Sequence, residues 1–353
     1  MKRFRRAQTL LVYWHEERLC FYDFARRETI EAAPFVCELL DFFDRWRTAE
    51  QAVRHFSEYT PASIRSSVQQ LARYELLVAE GSPSAREDAR LVAQWSSWWP
   101  AATFHFATKD ANYVDRSRWS IARRKKLLSE SPRPPKLKTI AGAQKIPLPP
   151  RRTFGESEFV RVLRARRTHR QFANAALEFD DVAQLLGLVW GVNGYVSSPI
   201  FGAGFHKTSP SGGARHPVEV YLVALRVRGL RRGVYHYDPL HHHLGKISGA
   251  ATSEKAWRYC ARQHFIKRAA ALFVMTAVFP RTMWKYPDPR AYRVVLLDAG
   301  HLCQTFCLAA TWLDLAPFCT AALKDTLIES DLHIDGIRES VLYVAGLGVP
   351  RGR

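Results

Sequence analysis

The sequence predicts a mixed helix-and-strand protein in two parts, a small winged-helix-like unit followed by a larger domain. Three observations predict it. Apolar residues recur at helical spacing in some segments and as short continuous runs in others, such as 269–278 and 340–345. The length of 353 residues suits two domains. The charge is also unevenly spread. Residues 1–95 carry 14 basic and 14 acidic side chains, and residues 96–152 carry 13 and 3. About half of the formal net charge of +19 therefore lies in one proline-rich connector and not on a folded recognition element. We expect domains at 1–95 and 153–353, joined by a connector at 96–152.

A hydrophobic content of 47% is enough for a sizeable core. No apolar run reaches the roughly 18 residues of a membrane span. The basic start, Met1 to Arg6, precedes an apolar stretch too short for a signal peptide. A cytoplasmic protein is expected, with no membrane partner. Cys20, Cys37, Cys260, Cys303, Cys307 and Cys319 include no CxxC pair and read as buried free thiols. Cys303 and Cys307 alone would be two ligands short of a metal site, and no metal is expected.

The N-terminal elements follow in order. Residues 10–32 read as a hairpin turning at His15-Glu16-Glu17-Arg18. Phe35, Leu39, Leu40 and Phe43 share one helical face. Thr48-Ala49-Glu50-Gln51 is a capping box that opens a second helix. Thr60-Pro61 caps a third, carrying Ile64, Val68 and Leu71. Leu76 to Ala79 returns as a strand. Such a unit suggests DNA binding, but a DNA reader needs a cationic face and this unit is electrically neutral, so no nucleic-acid partner is expected. The arrangement resembles the PqqD-like elements that take a leader peptide along a strand edge. Trp95, Trp98, Trp99, Phe104 and Phe106 form an aromatic segment that docks one domain on the next. The basic connector is ordinarily a solvated segment, with contact to an acidic peptide or phosphate as the sharper reading.

In the larger domain, a helix over 157–166 leads into Arg166-Arg167-Thr168-His169-Arg170, which can bracket a phosphate with guanidinium forks and a hydroxyl. A helix over 180–192 precedes Ser209-Pro210-Ser211-Gly212-Gly213-Ala214-Arg215-His216-Pro217. Two glycines fenced by prolines bring backbone close to a partner, or simply form a surface turn. The loop feeds a strand over 218–224. A strand and turn over 233–239, a strand at 269–278, a long helix over 292–315 and a last strand at 340–345 complete the domain. His241-His242-His243 lies in a turn where neighbours point different ways, which argues against one shared metal.

Taken in order, these motifs, with Trp284-Lys285-Tyr286 and Gly346-Leu347-Gly348-Val349-Pro350, resemble the SagB-type dehydrogenases of the FMN-dependent nitroreductase superfamily. The resemblance covers residues 154–353 and the lead-in 99–108. It implies an α+β fold with a central antiparallel sheet flanked by helices, an intimate homodimer, and FMN at the interface. Arg166, Arg167, Thr168 and Arg170 would hold the phosphate, with Arg351 adding to them. Pro210, Ser211, Gly212, Gly213 and Ala214 would lie against the isoalloxazine, Arg215 could reach the flavin, Gln304 would contact it, and the tail with Gly346 and Gly348 would add a backbone-plus-charge anion contact. Arg215 could instead pair with an acid at the start of the strand. Asp298, Gly300 and Gln304 serve equally well as helix packing and buried hydrogen bonds.

Lys285 and Tyr286 match the pair associated with catalysis. A lysine with a pKa near 10.4 is a poor base at neutral pH, and burial beside cations can lower it toward about 7–8. The sequence departs from the family at Thr168 for serine, at Asp314 for glycine, and over 316–322, where glycines are missing. The expected activity is oxidation of azoline rings in a ribosomal peptide to azoles, with a leader peptide and a cyclodehydratase as partners. A flavin enzyme acting on another substrate, and a non-catalytic peptide- or DNA-binding protein on a vestigial flavin fold, are the alternatives.

Overall fold

The computed structural model describes residues 2–111, 157–200 and 202–351, together with positions 126, 129, 130, 136 and 148. Most of the basic connector lies outside the described residues.

The N-terminal unit runs through β1 (Arg3–Arg6), β2 (Leu10–His15), β3 (Arg18–Asp23), β4 (Glu28–Glu31), α1 (Phe35–Phe42), β5 (Arg47–Thr48), α2 (Ala49–His55), α3 (Pro61–Arg73) and β6 (Leu77–Ala79). The caps are those the residues prescribe. Thr48 and Gln51 bond reciprocally, and Thr60 accepts from Ser63 N–H with Pro61 in the first turn. β5, β1 and β6 form one sheet, and β2, β3 and β4 a second. Phe21, Leu39, Phe43, Ile64 and Val68 fill the core between them.

α4 (Pro83–Trp95) and α5 (Trp99–Thr108) carry the chain across to the larger domain. Trp95, Trp98 and Phe106 are buried with Phe24 on one side and Phe279 and Tyr292 on the other. Buried indoles need an acceptor. Trp95 Nε1 donates to the Ile337 carbonyl and Trp98 Nε1 to the Tyr286 carbonyl, each at 2.9 Å. The aromatic segment therefore fastens the two parts together.

The larger domain continues with α6 (Glu158–Ala165), β7 (Leu177–Glu178), α7 (Phe179–Trp190), β8 (Gly194–Ser198), β9 (Gly202–His206), β10 (Val218–Ala224), β11 (Val227–Arg228), β12 (Gly233–Asp238) and β13 (His243–Ser248). Then come α8 (Ser253–Tyr259), β14 (Ala271–Val278), α9 (Pro280–Met283), α10 (Ala291–Trp312), β15 (Ala316–Thr320), α11 (Asp325–Leu332) and β16 (Glu339–Gly348). The fold is α+β. Its central sheet has the order β13-β12-β10-β14-β16-β15, antiparallel at every pair.

Alternation along each strand sends successive side chains to opposite faces. Val220 and Leu222 of β10, with Phe273 and Met275 of β14, meet α7 and α10. Tyr221, Val223, Leu272 and Val274 meet α8 and α11. Helices on both faces explain why β14 reads as an unbroken apolar run. α10 is long and apolar enough to span a membrane, but here its Val295, Leu302, Phe306 and Ala310 are buried in the protein.

Candidate active site

The glycine loop sits where β10 begins, and its backbone is unusual. Gly213, Ala214 and His216 have φ of +61°, +54° and +43°. L-residues in this region cost about 1 kcal/mol each, so the surroundings must hold them there. They do. Ser211 Oγ donates to Asp298 Oδ2 of α10 at 2.5 Å and accepts from His216 N–H at 2.9 Å. Gly212 N–H donates to Asp298 Oδ1 at 3.2 Å, and Ser209 Oγ bonds to Thr305 Oγ1 at 2.6 Å. The amides of Gly212, Ala214, Arg215 and His216 all donate within the protein. Of that run, Gly213 is the one whose amide has no acceptor among the described residues.

Lys285 and Tyr286, just after α9, lie against this loop. Lys285 Nζ donates to the Gly213 carbonyl at 3.4 Å. A Cβ on Gly213 would lie 2.3 Å from the Tyr286 hydroxyl and 3.0 Å from Lys285 Nζ. A Cβ on Gly212 would lie 2.2 Å from Val294 Cγ1. The two glycines are required because bare backbone meets α10 on one side and the Lys-Tyr pair on the other. Arg215 turns to neither an acid nor the open face of the loop. Its Nε donates to the Arg281 carbonyl at 3.0 Å, and its guanidinium lies 4.7 Å over Trp284.

Behind the loop stands a polar network that the sequence did not single out. Arg281 pairs with Glu219 at 2.5 Å, and Glu219 accepts from His236 Nε2 at 2.8 Å. Lys207 is pushed down to about 8, chiefly by burial, with Glu219 opposing and Arg281 adding to the shift. His216 is pushed down to about 4 by burial and then by Lys207. The signal for Glu219 was available, as a lone acid inside an apolar strand.

Arg166 to Arg170 lies elsewhere. His169 N–H donates to the Pro317 carbonyl at 2.9 Å, and Phe172 bridges to Pro350, so this stretch runs along the β15 edge. Arg167 folds back onto the end of α6, donating to the carbonyls of Arg164 and Arg166. Thr168 is exposed. Arg170 and Arg351 line a cavity of about 670 Å³ together with His264, Lys267 and Arg268, and among the described residues no carboxylate side chain lines it. Gln304 is exposed midway along α10. Gly346 and Gly348 are buried in β16, where added Cβ atoms would lie 2.2 Å from the Phe318 ring and 2.3 Å from the Phe172 ring.

The register shows how far apart these groups are. Val218, where the loop ends, pairs with Ala277 and through it Ser340. Ala224 pairs with Ala271, then Leu347, then Pro317 beside His169. The two groups of residues occupy opposite ends of the sheet, about 20 Å apart at strand rise. α10 spans the same interval. Its outward stripe, Leu297, Gly300, Gln304 and Trp312, is exposed, and a Cβ added to Gly300 would meet no described residue beyond its own turn within 4 Å.

A sequence model of the Nitroreductase family matches residues 163–349. Over 319 residues the chain is 28% identical to the trifolitoxin-processing protein TfxB of Rhizobium leguminosarum bv. trifolii, covering 85% of each chain. It is 28% identical over 158 residues to the microcin B17-processing protein McbC of Escherichia coli, covering 43% of this chain and 57% of that one. Among solved structures it superposes on a chain of the E. coli microcin synthetase McbBCD complex with truncated pro-MccB17 bound. The TM-score is 0.53 at 19% identity, covering 75% of this chain and 97% of that one, which shows a shared fold.

Proposed function

The chain belongs to the nitroreductase family, and from that membership we propose that it is an FMN-dependent dehydrogenase that oxidises azoline rings of a ribosomal peptide to azoles. The observation that carries this reading is the contact of Lys285 and Tyr286 with the Gly213 loop. It sets a proton-accepting amine and a phenol beside the surface proposed for the flavin. The likeness to the trifolitoxin-processing protein across 85% of both chains supports a peptide substrate.

The residues fit FMN in two halves. The Arg170 and Arg351 cavity, with Lys267 and Arg268 and no carboxylate side chain among the described lining residues, suits a phosphate dianion. The glycine loop offers a flat surface closed behind by Asp298, suited to an aromatic ring system. Because the halves lie at opposite ends of the sheet, one chain cannot join them. A second copy can, if its α10 packs antiparallel on the exposed stripe of the first, Leu297-Gly300-Gln304. The α10 helix is about 33 Å long, so antiparallel pairing sets one chain's loop near the other's arginines. The homodimer is thus part of the proposal.

When bound, FMN supplies the acceptor for a hydrogen and its electron pair. The chain's residues do the rest. Lys285 Nζ takes the ring proton. Tyr286 orients the ring, and the Trp98 bond to its carbonyl fixes the pair to the docking helices. Ser211 and Asp298 keep the loop in its strained form.

The N-terminal unit favours a peptide over a small free substrate. β2 is an outer strand of its sheet and exposes Val12, Tyr13 and Trp14. A groove of about 630 Å³ beside it is lined by Arg5, Arg6, Leu10, Val12 and Leu40. An extended leader peptide could add to this edge. A cyclodehydratase that forms the azolines is the partner this chemistry requires.

The test is mass spectrometry of an azoline peptide incubated with the FMN-loaded protein. A loss of about 2 Da per ring is expected for removal of two hydrogens. A protein that stays colourless with added FMN overturns the flavin reading. Turnover that survives Lys285→Ala overturns the assignment of the base.

A further inference from the structure

Three of the six cysteines converge. Cys303 and Cys307 lie one turn apart on α10, so both thiols leave the same face. Cys319 enters from β15. The three Sγ atoms lie within 4.8 Å of one another, and Cys303 and Cys307 are buried. We propose that Cys303, Cys307 and Cys319 form a thiolate site for a zinc ion, with the Tyr343 hydroxyl or a water as fourth donor.

Geometry and charge both support this. Zinc–thiolate bonds of about 2.3 Å in a tetrahedron set sulfurs about 3.8 Å apart, which small side-chain rotations reach from here. Tyr343 lies on β16 two residues from Ala345, the register partner of Cys319, and packs in the same cluster as the three cysteines, so its hydroxyl offers an oxygen there. The Arg166 guanidinium bears electrostatically on Cys307 and Cys319. Three thiolates and a divalent ion leave one negative charge, which Arg166 offsets. A monovalent soft ion would leave two. Binding exchanges three S–H protons for one ion, the protons pass to solvent, and nothing is oxidised.

A second cluster serves as the internal control. Asp238, His241 and His243 also gather within 4.8 Å but are largely solvent-exposed, and Asp238 already accepts from His241 Nδ1 at 2.8 Å. His242 is turned away to the Tyr237 hydroxyl.

The experiment titrates the reduced, chelator-stripped full chain with cobalt(II), then displaces cobalt with zinc. One equivalent per chain with thiolate-to-cobalt charge-transfer absorption is expected, displaced by zinc. Cys319→Ser and the double variant Cys303→Ser/Cys307→Ser should each lose that absorption and bind at least about tenfold more weakly. His241→Ala/His243→Ala should retain both. Should the cysteine variants fail to fold, thiol alkylation of the wild type decides: zinc must protect three thiols. Absence of the charge-transfer band, its survival in a folded Cys319→Ser variant, or alkylation unaffected by zinc overturns the proposal. So does a disulfide between these cysteines in the freshly isolated protein.

Discussion

Ser211 Oγ donates to the Asp298 carboxylate at 2.5 Å, and the same carboxylate accepts the Gly212 amide at 3.2 Å. A buried acid on the central helix thus holds the glycine loop from beneath. Asp298 is 4% exposed, and burial holds its carboxyl above the usual range. Asp298→Ala leaves a hydroxyl and an amide without their acceptor, at about 1–3 kcal/mol. The variant should melt lower and lose turnover more than it loses flavin, with Asp298→Asn intermediate. Thermal melting beside steady-state kinetics checks this. Full turnover in Asp298→Ala would show that the loop needs no such support.

Gly213 is the position where the loop and the proposed catalytic pair touch. An added methyl would meet the Tyr286 hydroxyl at 2.3 Å in a backbone with φ of +61°. Gly213→Ala should cost about 1 kcal/mol of stability from the left-handed backbone. Displacement of Lys285 and Tyr286 should cost far more in rate, on the order of 100-fold for a misplacement of this size. Equal losses in both would place the pair outside the chemistry.

Arg167 and Arg170 are three residues apart and differ in what they can hold. Arg170 faces the cationic cavity with Arg351, whereas Arg167 is committed to the carbonyls ending α6. Arg170→Ala should weaken FMN binding about tenfold or more, the value of a charge-assisted bond to phosphate. Arg167→Ala should change flavin affinity little and lower the melting temperature slightly. Fluorescence titration of flavin into the apoprotein separates the two. The reverse ranking would mean that Arg167 leaves its cap to bind the ligand.

Much of this was legible in the residues. The caps at Thr48 and Thr60 fixed two helices, and the loop's Pro217 fixed the start of β10. Other signals were present and passed over. Ser82-Pro83 opens α4 in the same way that Thr60-Pro61 opens α3. β15 is a five-residue edge strand that contains a proline, so it carries little strand signal. The separation of the two proposed half-sites could not be read at all. It depends on the pairing of β10, β14 and β16, which are distant in sequence, and registers between distant strands are set by the assembled core. The same limit explains Gly346 and Gly348. Sequence places glycines near a cofactor or a packed ring with equal ease.

Gly348 makes that choice testable. A Cβ there would lie 2.3 Å from the Phe172 ring. Gly348→Ala should overpack the core and cost about 1–3 kcal/mol. Pairing it with Phe172→Leu should recover part of that loss, while flavin affinity of the folded protein stays unchanged. A double-variant melting series measures the coupling. Additive losses, or a drop in flavin affinity without destabilisation, would return Gly348 to the cofactor.

His105 links acid stability to the docking of the two domains. It is enclosed between Trp95, whose ring stacks at 5.3 Å, and Tyr292, whose hydroxyl lies 2.9 Å from Nδ1. Burial, helped by the Lys109 cation, pushes it from its ordinary 6.5 down to about 3. Unfolded chains bind this proton near pH 6.5, and the folded protein does not until near pH 3. The folded pKa is depressed, so the stability from neutral His105 is complete above pH 6.5 and is lost as pH falls toward 3. One differential proton gives a slope of about 1.4 kcal/mol per pH unit. His105→Gln keeps a hydrogen-bonding group toward Tyr292 but cannot titrate. Its unfolding free energy should fall less steeply than the wild type's between about pH 6 and 4. Parallel pH profiles would show that the folded protein accommodates the imidazolium, and that acid loosens the domain junction through other groups.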